Sequence, residues 1–140
     1  RGEIDRAAVA RIVFGDPAER RRLESVVHPR VHARRRHRFA SAPPDAPALG
    51  MDVPLLFEAG LEAECDAVVF VDAPFDVRAE RVARSRGWGR EELARREASQ
   101  MPLDEKRRRA DHVIVNEGDR ERLEERVRGL LRSIVTTFTD

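Results

Sequence analysis

Three short apolar runs, each shut off by a polar residue, most narrow what this chain can fold into. Residues 48–53 (ALGMDV) contain Asp52 and run into Pro54. Residues 67–71 (AVVFV) are followed by Asp72 and Pro74, and residues 112–115 (HVIV) by Asn116 and Gly118. Runs of this length, bounded by Pro, Gly, Asp and Asn, predict strands. The second is apolar at every position, which predicts a strand buried within a parallel sheet. Helical patterns lie before, between and after the runs, so the expected class is α/β with a largely parallel sheet. Parallel strands would place Asp52, Asp72 and Asn116 along one rim, where open α/β sheets bind ligands. Each of the three alone is more readily a structural cap; as a set they are a candidate site. Asp52 with the following loop, Pro54-Leu55-Leu56-Phe57-Glu58, is its candidate active-site edge.

The helical signals are local. Residues 3–14 place Ile4, Ala8, Ile12 and Val13 on one stripe behind a possible N-cap, Asp5. Asp16 and Pro17 supply a second cap and first helical position. That second helix turns Leu23, Val26 and Val27 inward and is expected to break or kink at His28-Pro29, because proline disfavours helical geometry in the residue before it. A third helix follows through VHARRRHRFA, and SAPPDAP (41–47) reads as a linker. Further helices are expected over 76–86, 90–99 and the stretch through Arg109. A last one over 119–134 has Leu123, Val127, Leu130, Leu131 and Ile134 on one face.

Composition removes several functions. A single cysteine, Cys65, allows neither an intramolecular disulfide nor a multi-cysteine zinc site. Without tyrosine and with 5% aromatic residues, the chain lacks stacking platforms for single-stranded nucleic acid. A net charge of +1 gives no general attraction for polyanions. No apolar run reaches membrane-spanning length, and a cytoplasmic location is expected. Of the 27 basic residues one is lysine, Lys106, and it lies in DEKRRR with no glycine near it, so the chain contains no Gly-rich phosphate loop of the GxxxxGK[ST] kind.

Among the motifs, HPRVH (28–32) resembles a zinc pair, but Pro29 parts the two histidines and the acid of HExxH is missing, so no metal ligands are assigned. The Arg34–Arg38 run is either a solvated helix face or an anion-binding patch. Residues 81–109 carry many arginines around Gly87-Trp88-Gly89. They suit a mobile lid that brings cations onto a phosphoryl group, or, with their interleaved acids, a set of ordinary helix ion pairs.

HPRV (28–31), DVPLLFEAGLEAECD (52–66), VVFVDAP (68–74) and QMPLDEKRRRADHVIVNEG (100–118) together resemble the dephospho-CoA kinase family, in order and spacing, from near residue 3 to about residue 131. The resemblance implies a P-loop kinase-like fold, a three-layer α/β parallel sheet with first strands missing here. It implies a helical CoA-side segment over 1–46, and an α/β core over 47–140 that includes an Arg-rich lid at about 81–109. It implies transfer of the γ-phosphoryl of ATP, with Mg2+, to the ribose 3′-hydroxyl of dephospho-CoA. On this resemblance His28 and Asp52, Pro54, Leu55, Leu56 and Glu58 belong to the acceptor side, Arg96 is a catalytic lid arginine near the ATP phosphates, and Asn116 lies by the adenine. ATP and dephospho-CoA are the expected small-molecule partners, with no membrane or nucleic acid. The family's phosphate loop, its lysine, its Mg2+-binding hydroxyl and its proposed general base have no counterpart in these residues. The expectation is therefore a piece of a longer kinase that does not catalyse alone. The competing reading is a non-catalytic anion- or nucleic-acid-binding module using the Arg-rich segments.

Overall fold

A computed structural model describes residues 4–139, except the side chains of Phe14 and Thr139. Glu3, where the first helical pattern begins, lies outside the described residues. The chain divides between Leu49 and Gly50 into two compact units.

The N-terminal unit is helical: α1 (Arg6–Gly15) and α2 (Pro17–Ala40). Both start as their sequences dictate. The Asp5 carboxylate accepts from the N–H groups of Ala7 and Ala8, each at 3.0 Å, and Asp16 accepts from Ala18 at 2.7 Å, with Pro17 next in line. The break expected at His28-Pro29 does not occur, for α2 runs through both residues. Pro29 lacks the N–H that would bond one turn back, but Arg30 to Ala40 is rich in arginine and alanine, strong helix formers that carry the helix onward. The expected inward faces are corrected as well. Ile4, Ile12, Leu23, Val26 and Val27 are exposed, and Ala8 and Val13 are only half-covered. Two helices have too little volume for their surface to bury such side chains.

In the C-terminal unit the sheet among the described residues has two strands, β1 (Val69–Asp72) and β2 (His112–Val115). They run parallel, with Val69 opposite His112 and Asp72 opposite Val115. The strand expected at 48–53 is not formed: those residues have no regular structure. A strand is defined by the ladder it shares with a neighbouring strand, and no described strand neighbours this segment. The rim of three polar residues is thereby reduced to two, Asp72 as the last residue of β1 and Asn116 just past β2. Nor is β1 buried on both faces, since Val71 stays 57% exposed.

Helices α3 (Phe75–Arg86), α4 (Arg90–Ala98), α5 (Leu103–Arg109) and α6 (Arg120–Thr139), with a short 3-10 turn at Leu61–Glu64, complete the unit. Gly87 closes α3 in the left-handed region, φ 68°, its N–H returning to the Ala83 carbonyl at 3.0 Å. A side chain there would be strained, so glycine is what lets the chain turn into α4. On α6, Leu123, Val127, Leu130 and Ile134 are half-buried, while Leu131 falls off that face and is exposed. The core is small: Phe57, Leu61, Val68, Ala73, Ala79, Leu93 and Ile114, with Lys106 the buried charge among the described residues. Among those residues no helix is long and apolar enough to cross a membrane.

Candidate anion site

The strand ends hold the first group of side chains. The Asn116 N–H donates to the Asp72 carbonyl at 2.7 Å, so the two rim residues predicted from sequence are adjacent. Arginines from three helices converge on them. Arg81 of α3 donates to the Asn116 carbonyl at 2.9 Å, and Arg126 of α6 to the Val115 carbonyl at 2.5 Å. Arg107 of α5 donates to the Asp72 carboxylate and, at 3.3 Å, to Asp104. Arg78 of α3 donates to the Ala73 carbonyl and grips Glu97 of α4 through two bonds of 2.8 and 3.1 Å. Beside them opens a cleft of about 410 Å3, walled by Asp72, Pro74, Phe75, Arg78, Arg107 and Val115.

A second cleft, about 360 Å3, shares Arg78 and Leu103 with the first and is otherwise formed by Trp88, Leu93, Arg96, Glu97, Ser99 and Gln100. The predicted lid arginine, Arg96, lies here. Its Nε–H donates to Glu92 at 2.6 Å and its guanidinium sits 4.1 Å from the centroid of the Trp88 ring. The other Glu92 oxygen accepts from Arg95. Hydrogen bonds from Arg95 and then Arg96 hold the Glu92 carboxyl below the usual carboxylate range. Both Nη groups of Arg96 have no protein acceptor among the described residues.

The third cluster joins the predicted acceptor loop to α5. Glu58 accepts from Lys106 Nζ at 2.8 Å and from the Met101 N–H at 3.0 Å, and Lys106 also donates to Gln100 Oε1 at 3.2 Å. The Lys106 side chain is 7% exposed and that of Glu58 24%. Partial burial pushes the Glu58 carboxyl up, but the bonds from Lys106 and the backbone, with the lysine's charge, outweigh it and leave the group lowered. One turn on, Arg109 reaches Glu62 and lies 4.9 Å from the Phe57 ring centroid.

Of the predicted acceptor residues, then, Glu58 is committed to holding its own loop. Asp52, Pro54 and Leu55 are exposed and Leu56 half-buried, and none of them lines either cleft. His28 is exposed on α2, in the N-terminal unit. Sequence reasoning passed over Arg78 and the Lys106–Gln100 contact, and took in Arg107 only among the basic residues of the 81–109 lid. One signal was available: a single lysine in an otherwise all-arginine set. Among the described residues no three His, Cys, Asp or Glu side chains converge to hold a metal ion.

A cleft beside the parallel strand ends and a second that shares Arg78 with it are both lined by guanidinium groups, whose fixed fork of donors matches phosphoryl oxygens. The fold and site define an α/β protein with arginine-lined clefts. The comparisons make the class specific. A family model described as dephospho-CoA kinase matches residues 1–122. A dephospho-CoA kinase of Deinococcus radiodurans is 44% identical over 137 residues, 97% of this chain and 66% of that protein. One from Anaeromyxobacter dehalogenans is 48% identical over 123 residues, 87% of this chain and 58% of that protein. The crystal structure of TT1252 from Thermus thermophilus matches with a TM-score of 0.80 at 40% identity, covering 94% of this chain and 68% of that one. The chain belongs to the dephospho-CoA kinase family. It spans less than two thirds of the length of those two curated relatives.

Proposed function

We propose that the full-length protein transfers the γ-phosphoryl of ATP to the ribose 3′-hydroxyl of dephospho-CoA, giving coenzyme A in the cytoplasm, within a three-layer P-loop kinase-like fold. These 140 residues supply the acceptor side and the lid rather than the phosphate loop. The observation that carries this reading is the family match over residues 1–122, supported by an arginine, Arg96, whose outer edge is unspent beside a cleft. In this reading Arg96 neutralises charge on the transferring phosphates. Asn116 lies by the adenine, and His28 with Asp52, Pro54, Leu55, Leu56 and Glu58 forms the acceptor edge. ATP and Mg2+ are the co-substrate and ion of the complete enzyme. No GxxxxGK[ST] loop is present in the sequence, so the 140 residues alone do not catalyse.

The test is to assay dephospho-CoA-dependent ADP formation by this chain and by a protein that carries the same residues behind a phosphate-binding loop. Turnover by the longer protein only, lowered by Arg96→Ala, is expected. Turnover by the 140 residues that a substitution within them abolishes overturns the division of labour. If neither protein turns over and both bind duplex nucleic acid with a steep salt dependence, the binding-module reading replaces this one.

A further inference from the structure

We infer that Gln100 is a phosphoryl-oxygen donor beside Arg96 and that Lys106 is the positioning residue that makes it one. The inference rests on the kinase reading only for the identity of the ligand. Lysine's ammonium carries donors and no acceptor, so the Gln100 amide meets it through its oxygen. Lys106 Nζ lies 3.2 Å from that oxygen. The reverse orientation would set NH2 against an ammonium. With Oε1 taken, what Gln100 retains for the cleft it lines is a pair of N–H donors. Without Lys106 the amide is free to flip and present an oxygen, which repels an anion.

Lys106 is itself fixed. It is 7% exposed and bonded to Glu58 at 2.8 Å, and Glu58 also takes the N–H of Met101, the residue after Gln100. The backbone on one side of Gln100 and its side-chain oxygen are thus both held by the Glu58–Lys106 pair. Arg96 is fixed by different partners, Glu92 through its Nε and Trp88 through its ring. Two donors four positions apart, each locked from behind, line one cleft and keep N–H groups that no protein acceptor takes among the described residues. That is the preorganisation anion binding requires, since neither side chain must be ordered on binding. The ligand chemistry is a phosphoryl group, and within the kinase reading it is the polyphosphate of the nucleotide.

Trp88 lines this cleft and is the one tryptophan in a chain without tyrosine, so its fluorescence reports on the site directly. The chain is titrated with inorganic tripolyphosphate and, separately, with ATP. A saturable change is expected, with the tripolyphosphate Kd raised about tenfold by Gln100→Leu, the loss typical of one bond to a charged group. Lys106→Met is expected to weaken binding similarly, yet add nothing once Gln100 is leucine. Because Lys106→Met strands Glu58, the double change Glu58→Gln with Lys106→Met provides the same test in a background without a buried lone charge. Wild-type affinity in Gln100→Leu overturns the inference, and so does a Lys106 effect of undiminished size in the leucine background. Absence of tripolyphosphate binding overturns it too, while leaving the family activity to the turnover assay. Gln100-dependent tripolyphosphate binding with no preference for ATP upholds the inference and counts against the nucleotide.

Discussion

Helices α4 and α5 are alike in sequence, both short, acidic in the first turn and basic in the last, yet they spend most of their cations in opposite ways. The exceptions are Arg90 of α4, which reaches Asp76, and Arg108 of α5, which pairs with Glu105. Three basic residues of α5 reach acids on distant parts of the chain: Lys106 to Glu58, Arg107 to Asp72 and Arg109 to Glu62. On α4, Arg95 and Arg96 pair with Glu92 of the same helix. A long-range pair fixes one segment against another. A pair within one turn fixes only the side chain, leaving its outer edge for something else. Helix α5 is therefore scaffold and α4 presents charge to the cleft, although composition does not tell them apart.

The comparison breaks most visibly at Lys106. Lys106→Met removes one partner of a nearly buried pair, a change that costs about 3–5 kcal/mol in fully buried cases. Because Glu58 keeps 24% of its exposure, the expected loss is about 2–3 kcal/mol. Urea unfolding measures it, and adding Glu58→Gln is expected to restore part of the loss. A cost below 0.5 kcal/mol would make α5 no more a scaffold than α4.

Arg78 comes next, because its clasp on Glu97 is the less exposed of the two long-range ion pairs that α4 makes among the described residues, the other being Arg90 with Asp76. It joins Glu97 to α3 and to the Ala73 carbonyl. Arg78→Met leaves Glu97 without its partner and is expected to cost about 1–2 kcal/mol, less than Lys106 because both side chains keep about a quarter of their exposure. It also enlarges both clefts, so its effect on tripolyphosphate affinity is expected to exceed its effect on stability. Equal effects on both would mean that the clefts and the clasp are one structural unit.

A smaller effect separates the helices by pH. The folded state lowers the Glu58 carboxyl below its ordinary 4.5. Above that value Glu58 is ionised folded and unfolded, and its contribution is fully present. As pH falls through it, the unfolded chain takes up the proton first, and the contribution fades as pH drops to the lowered folded value. The stability gap between wild type and Glu58→Gln is therefore expected to narrow from pH 6 to pH 3. A gap independent of pH would mean that the carboxylate's charge contributes nothing.

Which parts of this could be read from the sequence follows the same division. The caps at Asp5 and Asp16, the Gly87 turn and strands β1 and β2 are decided within a few residues, and they stand where local chemistry puts them. Residues 48–53 have the composition of a strand, but a strand is a property of two segments, and no described strand neighbours this one. The break expected at Pro29 failed because one unfavourable residue was outweighed by strong helix formers after it. The Glu58–Lys106 pair spans 48 positions and leaves no periodic trace. Its one sequence sign was the lysine itself, the single ammonium among 27 basic residues. Family resemblance located Arg96 but not what holds it, since Trp88 and Glu92 act through geometry.

The smallest effect on stability tests the α4 half of the comparison. Glu92→Gln removes the charge and one of the two oxygens that accept from two exposed guanidinium groups, and exposed pairs of this kind within a helix contribute little to stability. Urea unfolding is expected to register almost nothing. The consequence belongs in the cleft, where Arg95 and Arg96 compete for one uncharged acceptor oxygen and Arg96 is held more loosely against the Trp88 ring. Its guanidinium then samples more orientations, and tripolyphosphate is expected to bind more weakly although no residue facing the ligand has changed. If Glu92→Gln destabilises the chain as much as Lys106→Met does, α4 is scaffold too. If it changes neither stability nor affinity, Trp88 alone positions Arg96, and the intrahelical pair is a surface contact without a role.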